Sequence, residues 1–197
     1  MEAPVQIRSA RPEEQEAFES VVRAAFADEG DVVVRVLREL VDRELVCAII
    51  VAERNGTVVG TVALSLAWVD ARERLVEIAL LSPLAVHPDE QNRGTGALLL
   101  DAAFDAAQQM EFPLVALEGD PAYYASRGWE QSSDHGVLSP SARVPEAACR
   151  VRLTSSYEEW VTGRIVYPDT WWRHDTVGLR DPLLAQVEAA PEGVTAG

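Results

Sequence analysis

The chain has 197 residues, of which 48% are apolar and 25% are charged, a balance typical of one globular domain. It carries 17 basic and 32 acidic residues, every basic one being arginine, and its formal net charge is −15. Nucleic-acid binding depends on clustered cations, so this charge argues against a nucleic-acid partner. The same charge is compatible with a cationic substrate such as an amine.

Three features of the sequence indicate the cellular compartment of the protein. The longest apolar runs fall far short of the roughly 18 residues that a membrane span needs. The first residues lack a basic region followed by an apolar core, so we expect no secretory signal and no membrane partner. Cys47 and Cys149 lie in apolar, strand-like runs and do not form a disulfide framework. We therefore expect a cytoplasmic protein with two reduced core thiols.

The first half of the chain predicts one strand, two helices and then a series of strands. Apolar residues at helical spacing give each helix one buried face, and Pro12 with the acids after it favours a helix start. Asn55-Gly56 predicts a hairpin, and Pro83, which has no N–H to donate, predicts a bulge or an end of pairing. The predicted elements are a strand at 5–7, helices that include 17–26 and 33–41, and strands over 46–52, 57–68 and 75–86.

The second half predicts a long helix followed by shorter elements. They are a helix over 95–110, a strand over 114–117, a short helix over 122–127, a strand over 129–131, a loop over 132–145 and a strand over 148–153. An aromatic-rich tail begins at Tyr157, and Ala, Glu, Gly and Pro dominate beyond residue 184. We predict a domain over 1–156, a Trp-rich tail packed on it over 157–184, and a flexible terminus over 185–197.

The loop that precedes the long helix has the composition of an anion-binding site. Two glycines, Gly94 and Gly96, let several backbone N–H groups converge, and the helix start adds unpaired donors and a partial positive charge. The spacing fits neither a G-x-G-x-x-G dinucleotide loop nor a Gly-Lys-Ser/Thr phosphate loop. It fits a pyrophosphate cradle of the form Q-x-x-G-x-G that begins at Gln91.

Two motifs resemble the GNAT superfamily of N-acetyltransferases. The stretch LAVHP-x-x-Q-x-x-G-x-G over 84–96 resembles the family's motif A, and DPAYY-x-x-x-GW over 120–129 resembles the motif that follows it. The wording of the second motif looks most like the YhbS-like branch of bacterial acetyltransferases. The resemblance implies an α+β, three-layer fold. Its mixed, mostly antiparallel sheet would have six to seven strands, splay between strands 4 and 5, and carry about four helices.

The resemblance also implies the cosubstrate and the residues that hold it. Acetyl-CoA would place its pantetheine arm in the splay and its pyrophosphate on the loop, with no metal involved. The implied binding residues are Leu84, Ala85, Val86, Gln91, Asn92, Arg93, Gly94, Thr95, Gly96 and Ala97. The implied reaction is direct attack of a primary amine, from a small molecule or a peptide, on the thioester.

Such a reaction includes two proton transfers, which need one group that donates a proton and one that accepts a proton. Tyr124 matches the family tyrosine that protonates the departing thiolate, although an aromatic at this place can equally serve to pack the short helix. For the base there are three candidates, namely Glu77, Glu118 or a chain of water molecules. His87 in a His-Pro turn more often shapes the turn, and His174 lies in the tail.

Some positions depart from the family pattern and keep an alternative open. Ser126 stands where relatives commonly carry a basic residue that can meet the CoA 3′-phosphate, a role left to Arg93, Arg127 or solvent. Asp120 replaces a common asparagine but can still cap a helix. The alternative function is a non-catalytic acyl-CoA-binding or regulatory module. The tail tryptophans could also form a homodimer contact, although packing on their own domain is commoner.

Overall fold

A single β-sheet forms the middle layer of the molecule. The structure is a computed structural model and describes residues 3–178. Its strands are β1 (Gln6–Ser9), β2 (Val46–Arg54), β3 (Thr57–Ala71), β4 (Leu75–Val86), β5 (Leu114–Glu118), β6 (Glu130–Gln131), β7 (Val137–Leu138), β8 (Cys149–Leu153) and β9 (Gly163–Val166). Its α-helices are α1 (Gln15–Phe26), α2 (Gly30–Asp42), α3 (Thr95–Gln109), α4 (Pro121–Ala125) and α5 (Asp169–Arg173).

The strands follow the order β1-β2-β3-β4-β5-β8-β6, and a branch is formed by β9 beside β3 and β7 beside β9. The β4–β5 and β7–β9 pairs are parallel, and the other pairs are antiparallel. The hairpin predicted between β2 and β3 is present. Asn55 and Gly56 both have positive φ values, 52° and 78°, as a tight hairpin turn with two left-handed residues requires.

The helices cover the two faces of the sheet, and strand alternation decides which residues face which layer. On β5, Leu114 and Ala116 belong to the apolar cluster that contains α2 residues. Val115 and Leu117, which point the other way, belong to the cluster that contains α3. The first helix pair and α3 therefore lie on opposite faces, which gives the three layers expected from the sequence.

The described sheet has nine strands, against the six or seven expected. β7 lies inside the segment 132–145, which the sequence indicates as a loop, and β9 lies in the tail. These strands have two and four residues, too few to show an alternating pattern, and their pairing depends on partners distant in sequence. Residues 179–197, which include the end of the predicted tail and the predicted flexible terminus, lie outside the described residues.

The tail strand extends the middle of the sheet. β9 pairs with β3 from Trp68↔Val166 to Ala71↔Gly163, on the stretch of β3 that follows its pairing with β2. Trp171 in α5 is 8% exposed and joins the core cluster under α2. Within residues 3–178, no helix is both long enough and apolar enough to cross a membrane.

Candidate active site

The sheet opens between its two central parallel strands. β4 and β5 pair at only two positions, Ala79↔Val115 and Leu80↔Ala116. β4 nevertheless continues to pair with β3 as far as Val86. The register on that side moves from Leu64↔Leu81 to Val62↔Leu84, so the bulge expected at Pro83 is present. Beyond Leu80, one edge of β4 faces a gap instead of a strand.

Backbone alternation shows which groups of β4 point into this gap. The His87 N–H donates to Val59 O across the β3 side at 2.9 Å. Because antiparallel partners alternate between bonding and non-bonding pairs, the polar groups of Ala85 face β3, and those of Leu84 and Val86 face the gap. Val86 O already accepts from Gln91 Nε2 at 3.0 Å. Leu84 and the Val86 N–H therefore form the edge that an extended ligand could pair with.

The loop after β4 has left-handed backbone geometry at two positions just before α3. Asn92 and Gly94 have left-handed φ values of 60° and 84°, and α3 begins at Thr95 with no side chain capping its first turn. Unpaired N–H groups at a helix start, close to two left-handed residues, form an anion site. The Thr95 hydroxyl is buried and has no hydrogen-bond partner among the described residues. The loop and helix start therefore offer backbone and hydroxyl donors, and their role as a pyrophosphate cradle stays a prediction.

The side chains around the loop hold it in place. Arg54 of β2 lies 3.0 Å from Glu90 through its Nε, and Arg93 approaches the same carboxylate at 3.6 Å. Gln91 braces the loop against the end of β4 through the bond to Val86 O. Two of the predicted ligands, Gln91 and Arg93, thus have side chains engaged within the loop, and they would serve a ligand through their backbone.

Tyr123 lies over the start of α3, a position that the sequence did not indicate. A Cβ placed on Gly96 would stand 2.8 Å from the Tyr123 hydroxyl, so only glycine allows this approach. The Arg127 guanidinium stacks on the Tyr123 ring at 3.8 Å from its centroid. The Arg127 guanidinium and the Tyr123 hydroxyl therefore line one side of the predicted pyrophosphate-binding loop. In the sequence, only the adjacency of Tyr123 to Tyr124 points to it.

Tyr124 lies at the end of β5, beside the opening of the gap. A Cβ on Gly119 would stand 2.3 Å from Tyr124 Cε2, which explains the glycine at this turn. The ring meets Trp129 edge-on at 6.2 Å, and Asp120 caps α4 by accepting from Ala122 N at 2.9 Å. Burial, followed by the charges of Tyr123 and Asp120, raises the pKa of Tyr124 to about 12. The phenol is therefore protonated at neutral pH and able to donate.

The two candidate carboxylates occupy different places. Glu77 is exposed on β4 before the paired Ala79, so the β4–β5 pairing lies between it and the gap. Glu118 ends β5 two residues after the paired Ala116, level with the point where the strands diverge. Its carboxylate accepts from Gly178 N at 3.0 Å. The structure brings Glu118, and not Glu77, to the edge of the gap.

The two histidines and the buried cysteine have other surroundings. His87 shapes the turn after β4, where its Nδ1 accepts from Asp89 N at 3.4 Å. His174 follows α5, and its Nε2 is 2.8 Å from Glu39 Oε2 on α2. Burial raises the pKa of the Cys149 thiol to about 11, so it stays neutral near pH 7. Residues 3–178 contain no group of His, Cys, Asp and Glu placed to hold a metal ion.

A split mixed sheet, a glycine cradle at a helix start and an aromatic short helix define the GNAT class of acetyltransferase. The family model described as an acetyltransferase (GNAT) domain matches residues 6–132. This chain belongs to that family, as the sequence motifs indicated. It is also 28% identical over 165 residues to the N-acetyltransferase YhbS of Escherichia coli K12, covering 82% of this chain and 95% of that protein.

Solved structures show the same fold. The crystal structure of Escherichia coli YhbS in complex with CoA matches with a TM-score of 0.76 and 22% identity, over 86% of this chain and 92% of that one. A GNAT family acetyltransferase from Brucella melitensis, in complex with acetyl-CoA, matches with a TM-score of 0.69 and 20% identity, over 85% and 98% of the two chains. The expected fold class is confirmed.

Proposed function

We propose that this protein transfers the acetyl group of acetyl-CoA to a primary amine of a small molecule or peptide by direct attack. The observation that carries the proposal is the continuity of the β4 edge with the cradle. Leu84 and Val86 present backbone groups to the gap, and the chain runs from there directly into the loop of Asn92 and Gly94. An extended arm that ends in a diphosphate fits this sequence of sites.

The residues present fit acetyl-CoA in its several parts. The pantetheine arm would pair with Leu84 and Val86, as an added strand pairs with a sheet edge. The pyrophosphate would accept from the N–H groups of the loop and the first turn of α3, with the Thr95 hydroxyl nearby. Arg127, which stacks on the Tyr123 ring, would serve the 3′-phosphate in place of a basic residue at Ser126. Once bound, acetyl-CoA supplies an activated thioester.

The two similar crystal structures support this choice of ligand. One of those proteins was crystallised with CoA and the other with acetyl-CoA. Both match this fold over more than four fifths of the chain. The split between β4 and β5 in this chain is compatible with the same ligand.

The chemistry assigns a separate role to each side of the gap. The amine nitrogen bonds to the acetyl carbon and loses one proton, while the C–S bond breaks and the sulfur gains one. Tyr124, protonated at neutral pH, is the proton donor to the sulfur. A backbone N–H at Leu84 would polarise the thioester oxygen. Glu118 is the candidate that takes the amine proton, directly or through water, because Glu77 lies beyond the paired stretch.

A ligand-induced thermal shift tests the binding half of the proposal. Acetyl-CoA at about 100 times its Kd should raise the melting temperature of this chain by roughly 5 to 10 °C. Gly94→Val should abolish the shift, because a branched side chain disfavours the left-handed φ of 84° that gives the loop its backbone geometry. Gly56→Val is the matched control. Its φ of 78° imposes a strain similar to that at Gly94, in open space and away from the cradle.

Release of free CoA thiol, measured across a panel of amines, tests the catalytic half. Turnover with at least one amine, lost in Gly94→Val and kept in Gly56→Val, is the expected result. A thermal shift without turnover on any amine would favour the non-catalytic acyl-CoA-binding module. Absence of any shift at millimolar acetyl-CoA would exclude both.

A further inference from the structure

Within residues 3–178, α3 covers only part of its own face of the sheet. Along β3, Val62 and Leu64 belong to the apolar cluster that contains α3, and Leu66 and Trp68 follow on the same face. Neither Leu66 nor Trp68 belongs to an apolar cluster of the described residues, and both side chains stay partly exposed. The second half of β3 therefore presents apolar side chains beyond the cover of α3.

The strand register shows which other residues share this face. Ala67 and Val69 of β3 belong to the cluster that contains α2, so Trp68 and Asp70 point to the opposite side. Directly paired residues of neighbouring strands point to the same side of a sheet. Two rows of paired residues result, and Leu66 lies between them and α3. The rows are Val166–Trp68–Glu77 and Leu138–Arg164–Asp70–Leu75, and together with Leu66 we call them the open face.

The open face has the composition of an interface core. Three of its apolar side chains are well exposed, with exposed fractions of 39% for Val166, 46% for Leu138 and 54% for Leu75. Apolar side chains that are exposed together mark an interaction site, whereas single exposed ones are ordinary. Aromatic residues such as Trp68 are enriched in the buried core of protein interfaces. A sheet face of this kind is normally covered by a helix or by a second sheet.

The charges of the open face are complementary to each other across its width. Glu77 lies beside Trp68 on β4, and Arg164 lies on the other flank of β3, on β9. Arg164 donates to Ser139 O, and no ion pair among the described residues includes Arg164, Asp70 or Glu77. A two-fold axis parallel to β3 would lay β9 of each copy over β4 of the other, with Arg164 near the partner's Glu77. The charges therefore fit a second copy of this chain.

We propose that the open face is a homodimer interface, in which two copies pack sheet against sheet about a two-fold axis. Packed sheets lie about 10 Å apart, which leaves room for Leu66 and Trp68 of both copies between them. The two pairs of Arg164 with the partner's Glu77, at the margins, set the relative orientation of the copies. The proposal is independent of the proposed function, because it rests on the start of β4 and not on the loop that follows its end.

Light scattering coupled to size-exclusion chromatography of the full chain tests the proposal. The wild type at micromolar concentration should have twice the 21.5 kDa mass of one chain. Val166→Asp should have the mass of one chain, because the dimer would bury an unpaired charge. Val41→Asp is the matched control and should stay dimeric. Val41 lies on α2, outside the open face, and its exposed fraction of 41% is close to the 39% of Val166.

An exchange of charges tests the two-fold arrangement. Arg164→Glu and Glu77→Arg should each raise the dissociation constant of the dimer about tenfold or more, because like charges would then face each other. The double variant should restore the wild-type constant, and circular dichroism checks that every variant is folded. A monomeric wild type, or a dimer that Val166→Asp leaves intact, would overturn the proposal and leave the open face to another occupant. A double variant as weak as the single ones would overturn the two-fold arrangement.

Discussion

The donor side and the acceptor side of the gap are built in different ways. The donor side uses backbone groups from one continuous stretch, β4, the loop and the start of α3. The acceptor side uses groups that are far apart in sequence, since the Glu118 carboxylate at the end of β5 accepts from the backbone N–H of Gly178. The backbone geometry of the donor side depends on the positions of glycine and proline. The arrangement of the acceptor side depends on how the tail packs against the end of β5.

This difference explains why the ligand can be inferred and the acceptor amine cannot. A diphosphate and an amide-bearing arm are recognised by N–H and C=O groups, which any sequence supplies once the backbone has the correct shape. An acceptor is recognised by particular side chains on variable segments. We expect changes on the donor side to alter acetyl-CoA affinity, and changes on the acceptor side to alter amine use or stability.

Tyr124→Phe is the change with the largest expected effect, because Tyr124 serves the chemistry where the two sides meet. Loss of the proton donor should lower kcat about 100-fold and leave the acetyl-CoA thermal shift intact. Because burial raises the pKa of Tyr124 to about 12, the donor is present across neutral pH and is lost only as pH rises through that value. The wild-type rate should therefore show no basic limb from Tyr124 below about pH 11.

Tyr123→Phe is the control for this prediction. The Tyr123 hydroxyl stands over Gly96 at the cradle, so its removal should change the affinity for acetyl-CoA more than it changes kcat. Steady-state kinetics on both variants with one amine would decide. Equal kcat values for wild type and Tyr124→Phe would assign Tyr124 a packing role only.

The features that the sequence predicts correctly are those set by local backbone chemistry. The hairpin at Asn55-Gly56 and the bulge at Pro83 follow from local backbone chemistry and are present. The role of Gly94 as a left-handed residue before α3 follows in the same way. By contrast, β9 and the hydrogen bond from Gly178 N to Glu118 depend on contacts across about 60 to 100 residues, which no local pattern encodes.

Arg38→Ala tests whether the layer formed by α1 and α2 is independent of the donor side. Glu19 of α1 is 1% exposed and accepts from Arg38 of α2 at 2.6 and 2.5 Å. Without Arg38 its buried carboxylate loses the main compensation, so the melting temperature should fall by roughly 5 °C. Arg23→Ala, whose guanidinium lies 3.6 Å from Glu19, should cost less. A change in acetyl-CoA affinity in either variant would contradict the prediction that only the donor side determines that affinity.

The effect of Arg38→Ala should depend on pH in a defined direction. The hydrogen bond from Arg38 lowers the pKa of Glu19 below its ordinary value. A carboxyl whose folded-state pKa is lowered stabilises the fold above its unfolded pKa, about 4.3, and this stabilisation is lost as pH falls through the folded-state value. The difference in melting temperature between wild type and variant should therefore be full at pH 7 and shrink in acid.

The smallest expected effect concerns the contact that holds the tail on the acceptor side. Glu39 of α2 pairs with Arg173 and His174 and accepts from the Thr170 hydroxyl at 3.2 Å, so one carboxylate fixes α5. Glu39 and its two charged partners are partly exposed, so Glu39→Gln should cost less than about 1 kcal/mol. The loosening should nevertheless appear as faster amide hydrogen exchange in β9 and α5, with a higher KM for the amine and an unchanged KM for acetyl-CoA. Asp105→Asn, an exposed change on α3, is the control. If Glu39→Gln instead raised the KM for acetyl-CoA, the tail would have to affect both the donor side and the acceptor side of the gap. The two sides would then not be structurally independent.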